Sequence, residues 1–249
     1  MNTLNSPCKP LIRLKGISAF SALFLATLMP LAEAGVFSVT PVRIHMTPKD
    51  RAVAVTLVNE GDSPIVLQAD LNQWSQKPDG TDVLVLSEDL ILAPPIIKLA
   101  PKGRQVVRLA LLRPADASQQ LTYRLIIREI PEASAPKNNI QVPIALALSM
   151  PVFITPPPAV RAITCSATRD ASGVSATCAN GGSAYAQIRE IFLKRGDKVE
   201  ASFEGGPYLL PGARKVIPLK AQQTVAAGAA QMVVSFDDAK TQSFDVVLP

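Results

Sequence analysis

The sequence predicts an all-β protein made of two β-sandwich domains. Three observations carry that prediction. After residue 35, apolar residues nowhere sustain the i, i+3, i+4, i+7 spacing of an amphipathic helix. Short segments rich in Val, Ile, Leu and Thr instead recur between turn residues, the pattern of a sandwich or barrel. Finally, one proline run, Thr155 followed by Pro156, Pro157 and Pro158, divides these segments into two sets.

In the first set, residues 52–58 (AVAVTLV) are β-branched and apolar and stop at the turn 59–63 (NEGDS). Residues 65–74 continue with alternation until 77–80 (KPDG) turns the chain, and 83–86, 96–99, 105–111 and 122–130 follow. In the second set, the expected strands are 159–168, 174–179, 185–194, 215–218, 231–236 and 242–248, with Gly181-Gly182, 205–207 (GGP) and Pro211-Gly212 between them. Three consecutive prolines cannot continue a ladder and favour a stiff, extended connection. The expected organisation is a first domain over 35–155, a hinge at 156–158 and a second domain over 159–249.

Residues 1–34 read as an export leader. Lys9, Arg13 and Lys15 precede an apolar run at 17–31, and Ala32-Glu33-Ala34 offers an A-x-A cleavage site. The run is shorter than the roughly 20 residues of a spanning helix, so an uncleaved membrane anchor is the weaker alternative. The mature chain would begin at Gly35 and contain no further membrane span. Of 25 Lys and Arg the leader holds three, and of 20 Asp and Glu it holds one, leaving a mature net charge of +3. That charge is dispersed, and there is a single Trp, so nucleic-acid binding has no support.

Cys8 departs with the leader. Cys165 and Cys178 remain, and an even count in an exported chain suggests a disulfide. Asp170-Ala171-Ser172-Gly173 between them is a turn sequence that would bring the arms of a hairpin together. Closing such a loop is worth roughly 3 kcal/mol in the chain-entropy account. Two free buried thiols are the alternative, and C-x12-C without a nearby His is poor metal spacing. No metal or other cofactor is expected. The only His, His45, falls in the first mature strand as an edge or surface residue, and no G-x-S-x-G, P-loop or H-E-x-x-H motif occurs. An enzyme is therefore not expected.

Residues 140–154 (IQVPIALALSMPVFI) are unusual. The even positions, Ile140, Val142, Ile144, Leu146, Leu148, Met150, Val152 and Ile154, are all large and apolar. The odd positions from 141 to 151 are small or polar, so strict period-two alternation puts every large side chain on one face. Such a run would extend about 50 Å at 3.3 Å per residue, against a usual strand of about five or six residues. Pro143 and Pro151 each lack a donor and place it at a sheet edge. A long apolar edge is an aggregation hazard unless a partner uses it through β-augmentation. The pattern alone leaves two readings open: a face covering its own core, or a surface lent to a partner.

Taken together, 37–44 (FSVTPVRI), 93–96 (APPI), 99–104 (LAPKGR), 107–109 (VRL) and above all 123–131 (YRLIIREIP), followed in order by the alternating strand and the proline hinge, resemble the PapD-like periplasmic pilus chaperones. The resemblance is strong over 36–158 and mostly architectural beyond. It implies two immunoglobulin-like sandwiches in an L-shaped arrangement with a cleft between them. It also implies a periplasmic chaperone that stabilises pilus or fimbrial subunits by donor-strand complementation and delivers them to an outer-membrane usher. The donor side chains would be Val142, Ile144, Leu146 and Leu148, with Met150 at the end of the row.

The family also clamps the subunit's C-terminal carboxylate with basic residues. One matches Arg43 in the first strand. The usual second anchor, a Lys late in the donor strand, falls here at Pro151, a departure from the pattern. The segment around Arg124 and the short loop between Pro131 and Ile140 resemble instead the alternate, or archaic, branch, whose anchor matches Arg124. Arg124 is thus expected first and Arg43 second. The family also places a cis bond near Ala93-Pro94-Pro95. An exposed apolar face of this kind can also drive weak self-association.

Two other classes compete. A structural or adhesive subunit should lack part of its own fold and carry an N-terminal alternating extension, but 36–44 is short and interrupted by Pro41. A cell-wall or lectin-like module would want clustered exposed aromatics, and the chain has one Trp and three Tyr.

Overall fold

The computed structural model describes residues 37–131 and 145–249, and it is all-β. The expected leader and the donor positions Val142 and Ile144 lie outside the described residues.

The first half contains β1 (Phe37–Thr40), β2 (Ile44–Met46), β3 (Ala52–Asn59), β4 (Ile65–Gln76), β5 (Asp82–Leu86), β6 (Leu90–Ala93), β7 (Ile96–Leu99), β8 (Arg104–Leu111), β9 (Leu121–Glu129) and β10 (Ala147–Ile154). These make a four-stranded sheet ordered β1-β3-β8-β6 and a six-stranded sheet ordered β2-β10-β9-β4-β5, with β7 on the early part of β4. Alternation decides the packing. Val55 and Leu57 of β3 and Val107 and Leu109 of β8 point inward from the first sheet. Leu67, Leu71, Tyr123, Leu125, Ile127, Val152 and Ile154 meet them from the second. Burying a side chain of this size is worth about 1.5–3 kcal/mol.

The second half contains β11 (Ile163–Asp170), β12 (Gly173–Asn180), β13 (Ala186–Arg195), β14 (Lys198–Glu204), β15 (Tyr208–Leu209), β16 (Arg214–Ala221), β17 (Gly228–Phe236) and β18 (Thr241–Leu248). Its sheet runs β11-β12-β16-β14-β13-β17-β18, with β15 on β13, and curls until β11 lies near β18. A separate core fills it, centred on Ile188, Ile191, Leu193, Met232 and Val234. Cys165 and Cys178 face each other in the β11–β12 ladder and are joined by a disulfide.

Three strands escaped the sequence reading. β6 and β15 have only four and two residues, and β14 (KVEASFE) is too polar for its period to stand out. The stretch expected as a strand from 159 begins instead at Ile163. Ahead of it, Val160 and Ala162 bond to the loop at Gly181, Ser183 and Ala184. Ala93–Pro94 is cis, and so is Thr40–Pro41, which had not been expected.

The two sandwiches dock through ordered contacts. The β4–β5 turn reaches the second sandwich, where the Arg214 N–H donates to Pro78 O at 3.0 Å. Gly80, with φ of +80°, allows this approach, because a Cβ there would lie 2.7 Å from the Arg214 carbonyl oxygen. Gln76 clamps β15: its Nε2 donates to Tyr208 O at 3.1 Å, and its Oε1 accepts from Leu210 N at 2.8 Å. Gln120 donates its N–H to Ser183 O and accepts from Tyr185 N at 2.8 Å. Trp74, Phe153 and Leu210, with Tyr185 and Tyr208, form a third apolar cluster at this junction.

Candidate functional site

β10 is paired along its whole length on one side only. β9 runs antiparallel to it from Ala147↔Arg128 to Ile154↔Leu121. On the other side β2 pairs, in parallel, with Val152, Phe153 and Ile154 alone. The edge from Ala147 to Pro151 therefore has no strand partner among the described residues. Glu129 N donates to Leu146 O at 2.9 Å, so the even residues of this ladder bond toward β9. Ala147 and Ser149 then turn their N–H and C=O groups to the open edge, and Pro151 turns out a carbonyl with no N–H. This explains how the ladder tolerates a proline: Pro151 removes no bond to β9.

The side chains of the same strand change character along it. Ile154 and Val152 are fully enclosed and Met150 is 4% exposed, all within the first core. Leu148 is only partly covered by that core, and Leu146 is 37% exposed. The two readings left open by the alternation thus divide the strand. Its end belongs to its own core, and its beginning leaves that core.

Arg124 stands on the opposite face of the sheet from the core. It lies between Asn72 of β4 and Pro151 of β10. Its guanidinium carbon lies 3.8 Å from the centroid of the Trp74 ring and 5.4 Å from that of Tyr208. Burial lowers its pKa, with Tyr208 and Asp82 acting the other way, and guanidinium stays a cation throughout. Among the described residues it donates no hydrogen bond and joins no ion pair; its neighbour Arg128 is paired with Asp70 at 2.6 Å. A planar donor fork stacked on an indole and left without an acceptor is suited to take a carboxylate edge-on.

Arg43 is differently employed. It leads into β2 and spends its fork on the second sandwich: on Asp237 through Nη1, on Gln187 through Nη2, on Tyr185 Oη at 3.4 Å and on Tyr208 Oη at 3.1 Å. Burial opposes its charge, but Tyr208, Tyr185 and Asp237 outweigh burial and raise its pKa. Tyr185 donates to Asp237 at 3.0 Å, and burial with that carboxylate raises the phenol well above its ordinary range. His45, exposed on β2, lies over the ring of Phe153 at 5.6 Å and that of Tyr185 at 6.4 Å. No set of three or more His, Cys, Asp or Glu able to hold a metal occurs among the described residues. Nor is any helix there long and apolar enough to cross a membrane.

The aromatic residues around Arg124 were missed from sequence. Phe153 is an odd position in the alternating strand and breaks its small-residue rule, because the second sandwich covers that face. The break was the one available signal. Trp74 and Tyr208 lie 134 positions apart, and nothing local announces that they meet edge to face at 5.1 Å.

Two docked sandwiches place an open strand edge beside an arginine that has no hydrogen-bond or ion-pair partner among the described residues, and the class they belong to is that of the pilus-assembly chaperones. The chain belongs to the PapD-like pilus chaperones, with residues 36–159 matching the family described as pili and flagellar-assembly chaperone, PapD N-terminal domain. No curated protein matches the sequence. Among solved structures it is similar to the CsuC–CsuE chaperone–tip adhesion subunit pre-assembly complex of archaic Csu pili of Acinetobacter baumannii. The identity is 17% and the TM-score 0.62, with 86% of this chain and 99% of that chain covered. It is also similar to the Escherichia coli chaperone DraB, at 17% identity and TM-score 0.58, covering 86% and 97%. A third is the Pseudomonas aeruginosa CupB2 chaperone, at 17% identity and TM-score 0.55, covering 85% and 100%. These identities speak for the shared fold.

Proposed function

We propose that this chain is an exported periplasmic chaperone that holds pilus or fimbrial subunits by donor-strand complementation and passes them to an outer-membrane usher. The open edge of β10 beside Arg124 is the observation that carries this reading. A subunit lacking a strand gains main-chain bonds from Ala147, Ser149 and the residues before them, and its pockets take the row of apolar side chains. Leu146 and Leu148 start that row among the described residues, with Val142 and Ile144 ahead of them in the sequence. Met150, already packed at home, closes it.

Arg124 binds the subunit's terminal carboxylate and sets the register of the strand. Arg43 holds the two sandwiches together. An Arg124 anchor with Pro151 in place of Lys, together with the short stretch of sequence between Pro131 and Ile140, favours the archaic branch.

The test is capture of the subunit encoded beside this chain's own gene. Co-expression yields a soluble one-to-one complex, and Leu146→Asp abolishes it while the chaperone still folds. A mutant that captures the subunit undiminished rules out the donor role.

A further inference from the structure

We infer that Tyr208, from the second sandwich, is a positioning residue for the Arg124 anchor, so that carboxylate capture requires both sandwiches in their docked arrangement. This rests on the reading of Arg124 given above. Tyr208 meets both arginines of the junction. Its hydroxyl oxygen accepts from Arg43 Nη2 at 3.1 Å, and its ring centroid lies 5.7 Å from the Arg43 guanidinium carbon and 5.4 Å from that of Arg124. It also stands at 83° to the Trp74 ring, the platform on which Arg124 is stacked. The guanidinium is therefore held by two aromatic rings, one from each sandwich.

The ring itself is held from the first sandwich. The Gln76 side chain bonds the backbone on either side of Leu209, to Tyr208 O and Leu210 N. Gln76 is thus placed to fix Tyr208, and Tyr208 to fix Arg124. An arginine restrained in this way loses less rotamer freedom when a carboxylate arrives and presents the edge of its fork rather than its face. The ligand this suits is a planar carboxylate ending a strand at the level of Pro151, where β2 occupies the edge beyond.

The experiment uses the subunit encoded beside this chain's gene, made with its natural C-terminus and with two glycines appended, which carries the carboxylate away from Arg124. Affinity is measured for both forms. The wild-type protein prefers the natural terminus, and Arg124→Ala erases that preference; if either result fails, the anchor reading itself is wrong, whatever Tyr208 does. With the anchor established, Tyr208→Leu reduces the preference by about tenfold, within the range of an aromatic–cation contact. Tyr208→Phe, which keeps the ring, restores it. Gln76→Ala, which leaves the ring and removes its clamp, reduces it to a smaller extent. Equal losses for both subunit forms in Tyr208→Leu, or an unchanged preference, overturn the inference, because a ring that merely glues the sandwiches together would weaken both forms alike.

Discussion

Arg124 and Pro151 stand directly opposite each other in the β9–β10 ladder, on the sheet face turned away from the core. The charge that the resemblance led one to expect in the donor strand is thus found one strand over, at the same level. The proline costs the ladder nothing there, because its missing donor faced the open edge.

Replacing Arg124 by Ala is expected to lower stability only modestly, by about 1 kcal/mol, since the guanidinium loses its aromatic contacts but no hydrogen-bond partner among the described residues. Subunit affinity should fall about 10–100-fold, the worth of a hydrogen bond to a charged group of about 1.5–3 kcal/mol. Isothermal titration alongside thermal unfolding checks both halves, and a destabilised variant with unchanged affinity would reverse the assignment.

The gradient along β10 separates binding from stability. Leu146→Asp, at an exposed position, should change stability by no more than about 0.5 kcal/mol and eliminate capture. Ile154→Ala, fully enclosed, should cost about 2–5 kcal/mol in urea unfolding.

Arg43→Ala should act on stability more strongly than Arg124→Ala. It strips the cation from Asp237 and removes bonds to Gln187, Tyr185 and Tyr208, for a loss of about 2 kcal/mol. An unchanged urea midpoint would show that the junction does not depend on this residue.

His45 predicts a mild acid sensitivity. Although the residue as a whole is exposed, the side of its ring turned to Phe153 and Tyr185 is desolvated, and this first and the Arg43 charge second lower its pKa, with Asp237 opposing them. Its folded pKa therefore lies below its unfolded value of about 6.5. The unfolded chain binds the proton more readily, and stability falls as the pH drops through that unfolded value. Above it the residue is neutral in both states and contributes nothing to the pH dependence. Urea midpoints between pH 7.5 and 5 should decline less steeply in His45→Gln; parallel curves would refute the assignment.

Reducing Cys165–Cys178 should lower the stability of the second sandwich by about 3 kcal/mol, the entropy of the closed loop. Urea unfolding of Cys165→Ser/Cys178→Ser against the oxidised wild type measures it.

The all-β fold and most strands were legible in the sequence because alternation and turn residues are local signals. The same holds for the row of large apolar side chains from Leu146 to Ile154, which period two places on one face whatever the surroundings. The chain's own residues also singled out Arg124 and Arg43, though only through their resemblance to a family pattern. The strands that escaped notice were short or polar, so the period had too few residues to register.

What each arginine touches was decided only by tertiary structure. Arg43 and Arg124 look equivalent as strand charges, and their difference arises from partners far along the chain: Asp237 and Gln187 consume one fork, while Trp74 and Tyr208 offer the other only aromatic faces. The division of β10 was settled the same way. An alternating strand has an apolar face everywhere, but how much of it is buried depends on where the opposing sheet ends, and that is a property of the packed sandwich rather than of the strand.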